Sequence, residues 1–129
     1  MYIYNLEERK ASISLLFAAL IIGNRNLSDK RKSYFEGVAR WIGAYNEIIE
    51  EALDKTQPQT AISVFKLLPE REKCRMFIVM YQIMVLDSTE QLTDREKQFL
   101  EYVNIEAGIK QAMINTGMIK LVSKVSSLL

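Results

Sequence analysis

Hydrophobic residues recur along the chain at the three- and four-residue spacing that is typical of α-helices. Phe99, Leu100, Val103 and Ala107, for example, share one face of such a helix. Alternation with a period of two, which indicates a half-buried strand, is not sustained anywhere. The pattern therefore predicts an all-α protein, a compact bundle of about six to eight helices.

The clearest pattern lies in residues 77–108, which predict two helices joined by an acidic loop. Nine of the ten residues 77–86 are apolar, as in a helix that is buried on nearly all sides. In the second helix Thr93 suits an N-cap, and Glu96 three residues later completes a capping box. Gly108 is placed to end this helix in a left-handed conformation. In the helix that ends at about Leu86 we expect the buried side chains to be Cys74, Phe77, Ile78, Tyr81, Met84 and Val85.

The same spacing predicts the other helices. Residues 11–22 form an apolar run, and Ser28 caps a helix from Asp29 to about Ile42 that Gly43 ends. Pro58 indicates a linker at 55–59. Further helices are predicted at 44–54, 60–68, 69–86 and 109–129, the last with a break at Gly117.

The apolar run 11–22 also invites two membrane-related interpretations. Two glutamates precede it and no small-residue cleavage site follows, which argues against a signal peptide. It is also well short of the about 20 apolar residues that a membrane span needs. We therefore interpret the run as a buried helix and expect no membrane insertion.

An internal repeat connects the two halves of the chain. A shift of 65 positions, from 28 to 93, places Ser28 on Thr93 and Gly43 on Gly108, and the apolar positions between them coincide. This predicts a single domain, 1–129, with a first repeat at about 1–55 and a second at about 60–129. Segments 12–43 and 75–108 should then superpose as equivalent helical hairpins with their apolar helices packed centrally.

The run VLDSTEQLTDREKQFLEYVNIEAGI, residues 85–109, resembles the tellurite-resistance protein B (TerB-like) family. Asp87 takes the position of the Asp in that family's loop, Leu92-Thr93 its aliphatic-Ser/Thr pair, and Glu96 its helix glutamate. The chain departs from the pattern in lacking Gly after Asp87 and in a loop that is longer by about two residues. The resemblance implies a helical domain with two-fold internal similarity, a link to metal binding through acidic residues, and a stress or metal-resistance response.

The composition of the chain argues against several classes of functional site. The 17 basic and 16 acidic residues give a net charge of +1, which argues against a nucleic-acid-binding surface. The chain has no histidine, and thus lacks the commonest general base and the commonest zinc ligand. A single cysteine, Cys74, excludes an internal disulfide and a cysteine-cluster metal site. No glycine-rich phosphate loop is present, so the sequence does not predict an enzyme.

The acidic loop is the candidate metal site, with Asp87, Glu90, Asp94 and Glu96 as its oxygen ligands. These residue types suit Ca²⁺ or Mg²⁺, but helix capping and a solvated loop explain Asp94 and Glu96 equally well. The first repeat has Asn24 and Arg31 at the positions of Asp87 and Glu96. Because that half has lost its negative charge, we expect at most weak binding of either ion.

Four other features admit a functional interpretation, although each has a plainer structural one. Cys74 fits core packing better than nucleophilic catalysis. The run 30–32 could touch phosphate or form a solvated basic face. Trp41 and Tyr45 could contact a partner or close the core, and the methionines could line a peptide groove or fill the core.

Together these observations predict a non-enzymatic, cytoplasmic TerB-like module that acts by binding an unidentified protein partner. The alternative is a divalent-cation binding protein that uses the acidic loop of the second repeat.

Overall fold

A computed structural model describes residues 1–86 and 91–109. This part of the chain contains α-helices and no strand, and it confirms the prediction of an all-α fold. The helices are α1 (Leu6–Ile21), α2 (Asp29–Trp41), α3 (Asn46–Lys55), α4 (Pro58–Phe65), α5 (Glu70–Val85) and α6 (Asp94–Ala107).

Helix α1 is the centre of the bundle and packs against α2, α3, α4 and α5. Every side chain from Ala11 to Leu16 is buried, including Ser12 and Ser14. The helix begins earlier than the apolar run suggests, because Asn5 and Glu8 form a capping box in which each side chain bonds the other's backbone amide. The predicted buried helix is therefore confirmed and is longer by one charged turn.

Helices α1 and α5 lie side by side and run in the same direction. Tyr4, just before α1, donates a hydrogen bond to Glu72 in the first turn of α5. At the other end Arg31 donates to the carbonyl oxygens of Leu20 and Ile83, near the last turns of α1 and α5. The loops that follow these two helices therefore leave the bundle at the same end, which we call the two-loop end (residues 22–28 and 91–93).

The buried face of α5 differs from the expected one. Phe77 is buried as predicted, but Ile78, Tyr81 and Val85 are only partly buried. Cys74 and Met84 are also buried as predicted, and α5 buries Met76, Met80 and Ile83 in addition. Residues 77–86 are apolar on nearly all sides, so no polar stripe marks the outer face, and packing against α1 selects the face.

The predicted helix ends are confirmed at both repeats. The hydroxyls of Ser28 and Thr93 accept hydrogen bonds from the third amides of α2 and α6. Gly43 and Gly108 both adopt positive φ, +83° and +66°, and each is followed by an amide that bonds five residues back. This likeness of caps and stops is what duplication would produce, and the superposition of segments 12–43 and 75–108 stays a prediction.

The predicted linker is shorter in the structure. Helix α3 ends at Lys55, and α4 begins at Pro58, so only residues 56–57 separate them. Pro58 occupies the first turn of α4, where its missing amide breaks no hydrogen bond. Of the predicted helix 109–129, only Ile109 lies within the described residues, and it is buried.

Candidate functional site

Two of the four predicted metal ligands, Asp94 and Glu96, lie in the first turn of α6, directly after the two-loop end. Asp87 and Glu90 lie outside the described residues. Asp94 is exposed at the first position of α6, whereas Glu96, two residues later, is completely buried. The structure therefore separates Asp94 and Glu96 into a solvent-facing and an inward-facing carboxylate.

Glu96 is held by an arginine from the other half of the chain. Arg25 Nε donates to Glu96 Oε2 at 2.9 Å, and Arg25 Nη2 donates to Oε1 at 2.9 Å. Oε1 also accepts from the Thr93 amide at 2.8 Å, which is the second arm of the capping box. This bidentate pair with a buried carboxylate joins residues 71 positions apart.

Glycine at position 23 makes room for this ion pair. A Cβ atom at Gly23 would lie 2.5 Å from Glu96 Oε2, closer than such atoms approach in real structures. Arg25 also donates to the carbonyl oxygen of Gln91 at 2.9 Å, so it contacts both the second loop and the start of α6. The residues around Arg25 in the sequence give no local signal that its side chain reaches Glu96.

The ion pair keeps Glu96 ionised despite its burial. Burial by itself raises the pKa of the Glu96 carboxyl, but the hydrogen bonds from Arg25 and Thr93 lower it, and the net pKa falls below the ordinary value. Both carboxylate oxygens already accept hydrogen bonds. A cation that used Glu96 would have to compete with the Arg25 guanidinium for them.

Arg31 corrects the interpretation of residues 30–32 as a solvated basic face. Its side chain is buried, and it donates to the carbonyl oxygens of Leu20 at 2.7 Å, Asn26 at 2.9 Å and Ile83 at 3.0 Å. Leu20 and Ile83 lie in the last turns of α1 and α5, where helix carbonyls lack intrahelical partners, and Asn26 lies in the loop after α1. Arg31 thus connects the ends of α1 and α5 through hydrogen bonds. Lys30 and Lys32, in contrast, are exposed.

Cys74 and the three methionines of α5 are core side chains. Cys74 is buried, and burial raises the pKa of its thiol, which disfavours the reactive thiolate. Met76, Met80 and Met84 are completely buried on α5. Their placement matches core filling rather than a peptide groove, and Met113 and Met118 lie outside the described residues.

Trp41 and Tyr45 are both exposed, on different sides of α2. Trp41 is 43% exposed, and the Arg75 guanidinium lies 5.1 Å from the centre of its ring, a cation–π contact between α2 and α5. Tyr45 precedes α3 and is 65% exposed. Both side chains are therefore accessible from solvent, as the partner-contact interpretation requires.

Tyr45 is part of an open groove between α2 and α3, which we call the α2–α3 groove. It has a volume of about 610 Å³, and its walls are formed by Glu36, Arg40, Ala44, Tyr45, Ile48 and Ile49. Ala44 is fully buried beneath it, and Ile48 and Ile49 are partly buried. On α3 the apolar surface continues to Leu53, which is 40% exposed and lies one turn beyond Ile49. Sequence reasoning singled out Tyr45 but missed Leu53.

Two further observations, on metal-ligand groups and on membrane-spanning helices, apply to the described residues alone. Within residues 1–86 and 91–109, no three His, Cys, Asp or Glu side chains are grouped so that they could hold a metal ion. Among the helices described, none combines the length and the apolar character that crossing a membrane requires.

Comparisons of the chain with protein-family models, with curated proteins and with solved structures gave no match.

Proposed function

We propose that the chain is a non-enzymatic, cytoplasmic TerB-like helical module that acts by binding a protein partner. The observation that carries the proposal is the α2–α3 groove, which Tyr45 lines with exposed apolar surface. Leu53, one turn beyond Ile49 on α3, exposes further apolar surface next to the groove. Aromatic and aliphatic side chains that line a groove are the usual anchors for a partner. The resemblance of residues 85–109 to the TerB-like family extends the proposal to a stress or metal-resistance response.

The chemistry of the chain supports a binding role over catalysis. The sequence has no histidine to serve as a general base, and the thiol of Cys74 is buried with a raised pKa. Glu96, the buried carboxylate of the two-loop end, is already paired with Arg25. The polar atoms of Glu96 are thus engaged within the fold, whereas Tyr45 in the α2–α3 groove is open to solvent.

The test is affinity capture from the native cell with the full chain as bait. We expect one or a few proteins to be enriched, and their recovery to fall at least about tenfold, or about 1.4 kcal/mol of binding free energy, with the double variant Tyr45→Ser/Leu53→Ser. Leu27→Ser is the matched control, because Leu27 is 44% exposed at the two-loop end and Leu53 is 40% exposed in the groove.

Both variants change exposed side chains and should remain folded, which circular dichroism and thermal unfolding would verify. Equal recovery of every captured protein by the wild-type chain and the groove variant would contradict the proposal. If only Leu27→Ser failed to capture the proteins, the binding surface would lie at the two-loop end instead.

A further inference from the structure

The wall of the groove formed by α3 carries a stripe of carboxylates beside its apolar stripe. Tyr45, Ile49 and Leu53 follow one another at intervals of four residues. Glu47, Glu50 and Asp54 are all exposed and follow at intervals of three and four, which places them together on the adjoining outer face. On the opposite wall, Glu36 of α2 also lines the groove.

Acidic side chains outnumber basic ones on these two walls. Residues 36–40 and 44–55 contain five carboxylates and two basic side chains, Arg40 and Lys55. One of the five, Glu51, is bound by Lys10 of α1 at 2.9 Å. The walls therefore present an acidic rim, although the whole chain has a net charge of +1.

We propose that the α2–α3 groove binds a basic amphipathic helix of a partner protein. This inference rests on the proposed partner-binding function and specifies the chemistry of the partner. The apolar face of such a helix would cover Tyr45, Ile49 and Leu53, and its Lys or Arg side chains would meet the carboxylates on the rim. Helix α3 has ten residues and a length of about 15 Å, which matches about three turns of a bound helix.

A second copy of this chain is a poorer match for the groove. Two copies that associated through α3 about a two-fold axis would bring the same acidic stripe from each copy into one interface. Like charges at an interface oppose association, so charge favours a basic partner over self-association.

The experiment uses three fluorescent amphipathic peptides of about fourteen residues, long enough for about four helical turns. They share the same leucine positions and carry Lys, Gln or Glu at all other positions. Binding to the full chain is measured by fluorescence anisotropy at near-physiological salt. We expect the Leu/Lys peptide to bind at least about tenfold more tightly than the Leu/Gln peptide, and the Leu/Glu peptide to bind most weakly.

Two triple variants that change the net charge by the same amount test whether the preference for the Leu/Lys peptide depends on the carboxylates of α3. Glu47→Gln/Glu50→Gln/Asp54→Asn should remove the preference for the Leu/Lys peptide. The control, Glu7→Gln/Glu101→Gln/Glu106→Gln, changes three exposed carboxylates on α1 and α6 and should retain it. Leu53→Ser should weaken binding of the Leu/Lys and Leu/Gln peptides alike, because it removes apolar contact without changing charge.

Each contrary outcome has a distinct meaning. Equal binding of the three peptides, or equal effects of the two triple variants, would overturn the basic partner but leave the groove as a docking surface. Absence of binding by all three peptides would overturn the helix as occupant, while the capture experiment separately decides the proposed function. If sedimentation experiments showed a dimer that Leu53→Ser abolishes, the occupant of the groove would be a second copy of the chain rather than a partner helix.

Discussion

The two-loop end and the α2–α3 groove use charged residues in opposite ways. At the two-loop end Arg25, Arg31 and Glu96 point inward, and their polar atoms bond one another or backbone carbonyl oxygens. In the groove Glu36, Glu47 and neighbouring carboxylates face solvent beside exposed apolar side chains. Removing one partner of a buried charge pair destabilises a fold, whereas exposed charges beside apolar surface remain available to a partner.

A second contrast lies within the two-loop end, at equivalent positions of the proposed repeats. Arg31 and Glu96 are each the third residue of their helix, α2 and α6, and both are buried. Arg31 binds carbonyl oxygens of α1 and α5, while Glu96 binds Arg25. The two halves thus share the position of an inward-pointing charge but differ in its sign. Because of this difference in sign, the sequence alone suggested that the half with Arg31 could not serve a cation site.

The largest expected effect is the loss of the buried ion pair. Glu96→Ala should destabilise the fold by about 3–5 kcal/mol, because it leaves the Arg25 guanidinium without its buried partner. Denaturation by urea would measure the free energy of unfolding. Glu101→Ala, an exposed carboxylate on the same helix, is the control and should change stability by less than about 0.5 kcal/mol. A similar small loss in Glu96→Ala would show that the two-loop end does not hold the halves together.

The same carboxylate should make stability depend on acid pH. The pKa of Glu96 is lower in the folded chain than its ordinary value, so its contribution is fully present above that ordinary pKa, about 4.3, and is lost as the pH falls through the folded pKa. The difference in unfolding free energy between the wild-type chain and Glu96→Gln should therefore stay constant from neutrality down to about pH 5 and shrink as the pH falls further. A difference that did not shrink at acid pH would mean that Glu96 is not preferentially ionised in the folded chain.

The smallest expected effect is that of divalent cations. Calorimetric titration with Ca²⁺ or Mg²⁺ at near-physiological salt should show weak binding or none, because the oxygens of Glu96 are occupied by Arg25 and the first loop offers Asn24. Asp87→Asn is the matched variant. A micromolar dissociation constant that weakens at least about tenfold in Asp87→Asn would instead favour the cation-binding alternative.

The features that sequence predicted well are local ones. The caps at Ser28 and Thr93 and the stop at Gly108 depend on residues within one helical turn, and the structure confirms all three. The buried face of α5 was harder to predict, because residues 77–86 contain only Gln82 as a polar marker. An apolar helix packs according to its neighbours, and here α1 selected a face that includes Met80.

The features that sequence missed depend on distant contacts. Arg25 and Glu96 are 71 positions apart, and nothing near either residue indicates the pairing. Arg31 looks like part of a surface basic run until α1 and α5 are known to end side by side. Leu53 likewise adjoins the groove that Ile49 lines only once α3 is placed beside α2.

The most direct test of the contrast between the two regions is site-specific photo-crosslinking in the native cell. A photoreactive amino acid replaces Leu53 in the groove in one experiment and Leu27 at the two-loop end in the other, two leucines of similar exposure. The expected result is a covalent adduct with an identified protein from position 53, which the added substitution Tyr45→Ser removes, and no such adduct from position 27. Adducts with the same protein from position 27 but not from position 53 would contradict the assignment of partner binding to the α2–α3 groove.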